Sequence, residues 1–125
     1  MDKFYKCKKC GKIVQVIKDS ACGLVCCDEE MTELNPLLKD GAVEKHLPVI
    51  ERVGNEVVVK VGEVPHPMQD VHYIEFVVLD TEKTTQRVDF KPGDVPVAKF
   101  VIAEDDKVVD ALAYCNLHGL WLTKA

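Results

Sequence analysis

A chain of 125 residues, 47% hydrophobic and 30% charged, has the composition of one ordinary domain, or of a small domain joined to a medium one, and not of a disordered chain. No apolar run approaches the ~20 residues that span a bilayer, and a net charge of −5 with both signs interspersed argues against nucleic acid as a partner. The start of the chain, Met-Asp-Lys-Phe-Tyr-Lys, lacks the apolar core of a secretory signal, so a cytoplasmic location is expected; clustered cysteines in that reducing compartment read as metal ligands before disulfides.

The cysteines stand at Cys7, Cys10, Cys22, Cys26, Cys27 and Cys115, five of the six within the first 27 residues. Cys7-Lys8-Lys9-Cys10-Gly11 is a metal knuckle, two thiolates on a tight turn with Gly11 accommodating the backbone. Ile13 to Ile17 reads as a short strand, Lys18-Asp19-Ser20 as a turn, and Leu24-Val25-Cys26-Cys27 follows. So short a segment buries too little apolar surface to fold alone, and a metal staple is expected for residues 1–35. A tetrathiolate suits zinc or iron. Most zinc knuckles close with a second CxxC, whereas the adjacent pair Cys26-Cys27 forces a distorted site, because neighbouring residues on a strand point to opposite faces. Cys22 is a fifth thiol nearby, either a bystander or a substitute for one member of the pair.

Asn35 to Val43 contains Pro36 and Gly41 and no sustained period, which marks residues 36–45 as a linker. From residue 46 the chain reads as strand after strand. Leu47 to Val53 and Glu56 to Val61 form a hairpin about Gly54-Asn55, with Gly54 suited to the first position of a type II′ turn. Val57, Val59 and Val61 give it one apolar face. Strands follow at His72 to Leu79, Thr84 to Phe90, Val97 to Ala103, Val108 to Cys115 and Gly119 to Leu122. Turns are expected at Pro92-Gly93 and Glu104-Asp105-Asp106. Val108 to Tyr114 has helical propensity, but its neighbours favour a strand. About seven strands in residues 46–125 predict an antiparallel, immunoglobulin-like β-sandwich.

The remaining metal donors fall at strand ends or in loops: His46 before the first strand of this domain, His66 between two prolines, His72 at the start of a strand, Cys115 at the end of one and His118 in the loop beyond. Alone, Cys115-x-x-His118 reads as a buried thiol beside a surface imidazole. Together, five donors at strand ends and in loops, with none mid-strand, weaken that reading, since loops at one end of a sandwich can converge on one point. Tyr73, Tyr114 and Trp121 read as core aromatics.

Cys7-x-x-Cys10 with Cys26-Cys27 resembles the desulforedoxin-type iron centre. Adding Glu44-Lys45-His46-Leu47-Pro48-Val49-Ile50, Val64-Pro65-His66-Pro67-Met68, His72-Tyr73-Ile74-Glu75 and Cys115-Asn116-Leu117-His118-Gly119, essentially the whole chain resembles desulfoferrodoxin, the two-iron superoxide reductase. The one-iron relative, neelaredoxin, lacks the cysteine-rich domain.

The resemblance implies two irons per chain. One is held by Cys7, Cys10, Cys26 and Cys27. The other is held by His46, His66, His72 and His118 in one plane with Cys115 as axial thiolate, leaving a sixth position open. It further implies one-electron reduction of superoxide to hydrogen peroxide without release of dioxygen, resupply of electrons by a rubredoxin-type carrier, and a homodimer. Lys45 is then the positive charge that attracts the anion and orders a proton-delivering water, and Glu44 a sixth ligand once the iron is ferric. The competing readings are a one-electron carrier with two irons and no substrate site, and a zinc-stabilised binding module on the same sandwich.

Overall fold

A computed structural model describes residues 2–38 and 46–125, and every regular element in them is a strand. The chain divides into two compact units, Met1–Asn35 and Pro36–Ala125.

The first unit carries β1 (Lys3–Lys6), β2 (Ile13–Val16), β3 (Val25–Cys26), β4 (Glu29–Glu30) and β5 (Thr32–Glu33). β1 lies between β2 and β5 in a small antiparallel sheet, and β3 and β4 form a separate hairpin. Among the described residues of this unit, Phe4 and Met31 are the only large apolar side chains buried, together with the Cys7 thiol. So small a core does not offset the entropy of ordering the segment.

The second unit carries β6 (Pro48–Val53), β7 (Glu56–Val61), β8 (Ile74–Thr81), β9 (Thr85–Asp89), β10 (Val97–Val101), β11 (Val108–Cys115) and β12 (Gly119–Lys124). They form two antiparallel sheets, ordered β10-β7-β6 and β12-β11-β8-β9, the three-on-four sandwich expected from the strand count. Val57, Val59 and Val61 of β7 face Ile74, Val77 and Leu79 of β8 and Ala111, Ala113 and Cys115 of β11, with Ala98, Phe100 and Ile102 completing the core. In the β6–β7 hairpin, Gly54 has φ +63° while Asn55 stays negative, as a type II′ turn requires. Val108–Cys115 is a strand, its helical propensity overridden by pairing on both edges with β8 and β12. Leu37, within the stretch read as linker, pairs instead with Trp121 of β12, through Leu37 N–H to Leu120 O and Leu122 N–H to Leu37 O.

The Glu104-Asp105-Asp106 turn holds a surprise. Asp106 is buried, and its carboxylate accepts from Thr81 Oγ1 at 2.6 Å, Lys107 N–H at 2.8 Å and Lys83 N–H at 3.2 Å. Arg52 reaches across from β6 to its carbonyl at 2.6 Å. Burial pushes the Asp106 carboxyl up, but the bonds from Thr81, Lys107 and Lys83 outweigh it and hold the carboxyl below its ordinary value. A depressed carboxyl stabilises the fold above its unfolded pKa of about 3.9, and that stability is lost as pH falls through the folded value. Asp106→Ala is expected to lower the melting temperature at pH 7 by on the order of 10 °C, since it strands three donors. The difference from wild type should shrink in melts run progressively below about pH 4.

Candidate metal centres

In the first unit the knuckle closes through Cys7 N–H to Lys12 O and Gly11 N–H to Cys7 O, both 2.9 Å. The second pair of thiols sits on the β3–β4 hairpin. Cys26 ends β3, and Cys27 and Asp28 form its two-residue turn with φ +53° and +61°. Positive φ at both turn positions is type I′ geometry, which costs a non-glycine residue but suits the twist of a hairpin. The turn resolves the difficulty of adjacent ligands: Cys27 is not on a strand, and the left-handed backbone brings its sulfur to within 3.9 Å of Cys26 Sγ. Cys10 Sγ lies 3.7 Å from Cys26 Sγ. A tetrahedral ion with metal–sulfur bonds of about 2.3 Å has sulfur–sulfur edges of about 3.8 Å. The four thiols of Cys7, Cys10, Cys26 and Cys27 therefore fit one ion. Cys22 is exposed and stands outside the group.

Hydrogen bonding shifts the acidity of Cys7, Cys26 and Cys27. Hydrogen bonding from the Cys10 backbone pulls Cys7 down to about 6 against the effect of burial. The contacts with Cys7 and then Cys10 push Cys26 up to about 12. For Cys27 the contact with Cys26 lowers the pKa, but Cys7, Cys10 and burial outweigh it and leave it raised. One thiolate forms readily and suppresses the next; a cation is what lets all four ionise together.

In the second unit the antiparallel register gathers the other donors at one end of the sandwich. The start of β6 pairs with the end of β7 (Pro48 with Val61), the start of β8 with the end of β11 (Ile74 with Cys115), and the end of β11 with the start of β12 (Cys115 with Gly119). His46 precedes β6, and its neighbour Leu47 accepts from Gly62 N–H at 3.0 Å. His66 follows β7 and donates its N–H to Val61 O at 3.3 Å. The end of β7 thus fixes two of the histidines.

A bulge in β8 fixes a third. Tyr114 pairs with Phe76 and Cys115 with Ile74, so Glu75 is the extra residue. Leu79 and Val77 face the core, and the bulge makes Ile74, not Glu75, the next inward residue. On an extended chain i and i−2 share a face, so the same bulge turns His72 toward Cys115. The strand read as starting at His72 accordingly begins at Ile74, and His72 lies in a bridge with Gln69.

The result is a closed circuit of four imidazoles. Ring centroids are 4.8 Å apart for His46–His66, 4.8 Å for His66–His72, 5.0 Å for His72–His118 and 4.9 Å for His118–His46. His46 Nε2 is 3.1 Å from His118 Nδ1, and Cys115 Sγ is 3.8 Å from the same Nδ1. His66 Nδ1 lies 2.7 Å from the Pro67 carbonyl, which makes it the protonated nitrogen and leaves the Nε2 lone pair for a metal. The donor atoms of His46, His66, His72 and Cys115 all lie within 4.8 Å of one another, close to the about 4.2 Å that separates trans ligands at about 2.1 Å each. Cys115 is fully buried among the core residues, so its sulfur approaches from the sandwich interior. His46 and His66 are buried, His72 is half-buried and His118 is exposed, so solvent reaches the circuit from the His118 side.

One residue that touches this centre was legible in the sequence only as a core aromatic. Trp121 stacks on His46 at 4.5 Å and 11°, and its Nε1–H donates to His118 O at 3.2 Å. Its place three residues after His118 was the available signal. Glu44 and Lys45 lie outside the described residues.

The sequence matches the desulfoferrodoxin family over residues 38–124 and the desulfoferrodoxin N-terminal domain over residues 1–34. The chain belongs to the desulfoferrodoxin family. It is 48% identical to a desulfoferrodoxin homolog of Archaeoglobus fulgidus, over 94% of this chain and 92% of that one. It is 47% identical to the desulfoferrodoxin of Nitratidesulfovibrio vulgaris, over 97% and 94%. Among solved structures, the superoxide reductase of Treponema pallidum superposes with a TM-score of 0.87 at 34% identity, covering 99% of this chain and 98% of that one. Desulfoferrodoxins carry two iron centres, and this chain has a four-cysteine and a histidine–cysteine group to hold them. Its relatives mark it as an oxidoreductase. Among the described residues no helix is long and apolar enough to cross a membrane.

Proposed function

We propose that the chain is a superoxide reductase acting at the histidine–cysteine centre. The observation that carries this reading is the closed circuit of four imidazoles with a buried thiol on its core side. In the proposed reaction one superoxide takes up one electron and two protons to give hydrogen peroxide. Iron held in this centre would supply that electron. His46, His66, His72 and His118 would hold it with neutral nitrogens, and Cys115 would contribute thiolate charge from the core side, which favours release of a reduced oxygen species.

A chain of net charge −5 repels an anionic substrate, so local positive charge has to attract it. Lys45, next in sequence to His46, is assigned that role and the ordering of a proton-delivering water. Glu44 would be a further ligand once that iron is ferric, a carboxylate being the harder donor. Lys45→Ala is expected to slow the reaction with superoxide by about tenfold and to flatten its dependence on ionic strength. Rates measured against salt concentration check this. A rapidly mixed or radiolytic pulse of superoxide tests the activity itself: the ferrous protein should yield one peroxide per superoxide and no dioxygen. Oxidation of the iron with no peroxide formed, or no binding of azide or cyanide to the ferrous centre, would leave an electron carrier instead. A rubredoxin-type carrier is the proposed electron source, and a homodimer the proposed assembly.

A further inference from the structure

The Asn116 side chain joins two of the segments that bear histidine ligands. Its Oδ1 accepts from Tyr73 N–H at 2.9 Å, and its Nδ2 donates to the Val71 carbonyl at 3.0 Å. Its backbone N–H donates to Tyr73 O at 3.2 Å. These bonds bracket His72 on both sides. The β8–β11 ladder ends at the Ile74–Cys115 pair, so residues 71–73 lie beyond it. Asn116 extends the attachment past that end with its side chain. Only a primary amide of this length offers an acceptor and a donor side by side at this reach: an aspartate has no donor at neutral pH, a serine is shorter, and a glutamine is one methylene longer. Asn116 also stands between Cys115 and His118 in the chain, so one residue ties the segment holding His72 to the segment holding two other donors.

We propose that Asn116 is a positioning residue that fixes the His72 imidazole relative to Cys115 and His118, and through that geometry sets the metal affinity of the centre and the electronic signature of its thiolate. The inference rests on the reading of His72 as a ligand. Residues that orient ligands from behind typically change metal affinity by about 10–100-fold when lost.

The test uses the full chain loaded anaerobically with ferrous iron. Three quantities are read: iron affinity at this centre by competition with a chelator, the energy of its red thiolate-to-iron band after oxidation, and the bands of the tetrathiolate centre as an internal control. Asn116→Ala should weaken iron binding by about 10–100-fold and shift the red band, with the tetrathiolate bands unchanged. Asn116→Asp keeps the acceptor for Tyr73 and loses the donor to Val71, so it should fall between the two and serves as the second variant if alanine prevents folding. In a His72→Ala background, Asn116→Ala should add less than about twofold, because the residue it positions is gone. Wild-type affinity and an unmoved band in both Asn116 variants would overturn the proposal, as would a full additional loss in the His72→Ala background. Wild-type affinity in His72→Ala alone would overturn the ligand reading instead.

Discussion

Replacing Cys115 with serine is expected to abolish superoxide reduction while leaving the sandwich folded. The sulfur is fully buried, beside Ile74 and Ala113 in the core and 3.8 Å from His118 Nδ1. A serine hydroxyl at this position stays protonated at neutral pH, so the centre loses its negative donor as well as its soft one. The buried hydroxyl costs about 1–3 kcal/mol where it finds no partner, which a core of twelve residues shared by both sheets tolerates. The effect on rate should exceed the 10–100-fold typical of residues that only orient ligands. A drop of at least about 100-fold in the rate constant for superoxide is therefore expected, with loss of the red band on oxidation. Stopped-flow rates and visible spectra of the iron-loaded variant check both. A variant that keeps half the rate and the band would show that the thiolate is not a ligand.

What the sequence made legible here is what short-range periodicity encodes. Val57, Val59 and Val61 declare a strand with one buried face because side chains alternate with a period of two, and Gly54-Asn55 declares its turn because so few residues accept positive φ. The placement of the donors at strand ends was legible for the same reason, since strand boundaries follow from the same alternation. The bulge at Glu75 was not. It has no local signature, since it arises from the pairing of β8 with β11, yet it decides which face His72 takes. The sequence marks Asp106 only as part of a turn; its burial follows from Thr81, Lys83 and Arg52, distant in sequence. The same holds for Asn116, whose partners Val71 and Tyr73 lie more than forty residues away. The Cys26-Cys27 pair illustrates a third case. Alternation along a strand implied a distorted site for adjacent ligands, yet the sulfur spacings of 3.7 and 3.9 Å suit a tetrahedron. The remedy, a type I′ turn with Cys27 and Asp28 both left-handed, is visible only in the backbone.

Cys10→Ser is expected to empty the tetrathiolate centre and unfold residues 1–35 while sparing the second centre. Among its described residues the first unit buries little beyond Phe4, Met31 and the Cys7 thiol, and its strands are two to four residues long. For a segment this small, metal binding and folding are one free energy: the ion is what converts four mutually repelling thiols into a cross-link between the knuckle and the β3–β4 hairpin. Serine at position 10 removes one corner of the tetrahedron, the one whose sulfur is 3.7 Å from Cys26 Sγ. The left-handed turn at Cys27-Asp28, sustained against its own backbone preference, then has no metal bond to hold it. The second unit has its own core, and its donors hang on the ends of β6, β7, β8, β11 and β12, which pair with one another in its two sheets. Iron content should fall from two to one per chain. Amide exchange should become fast in Lys3–Lys6 and Ile13–Val16 and stay slow in Val108–Cys115, and the superoxide rate should remain within about twofold of wild type. Loss of both irons together would show instead that the second centre depends on the first for its assembly.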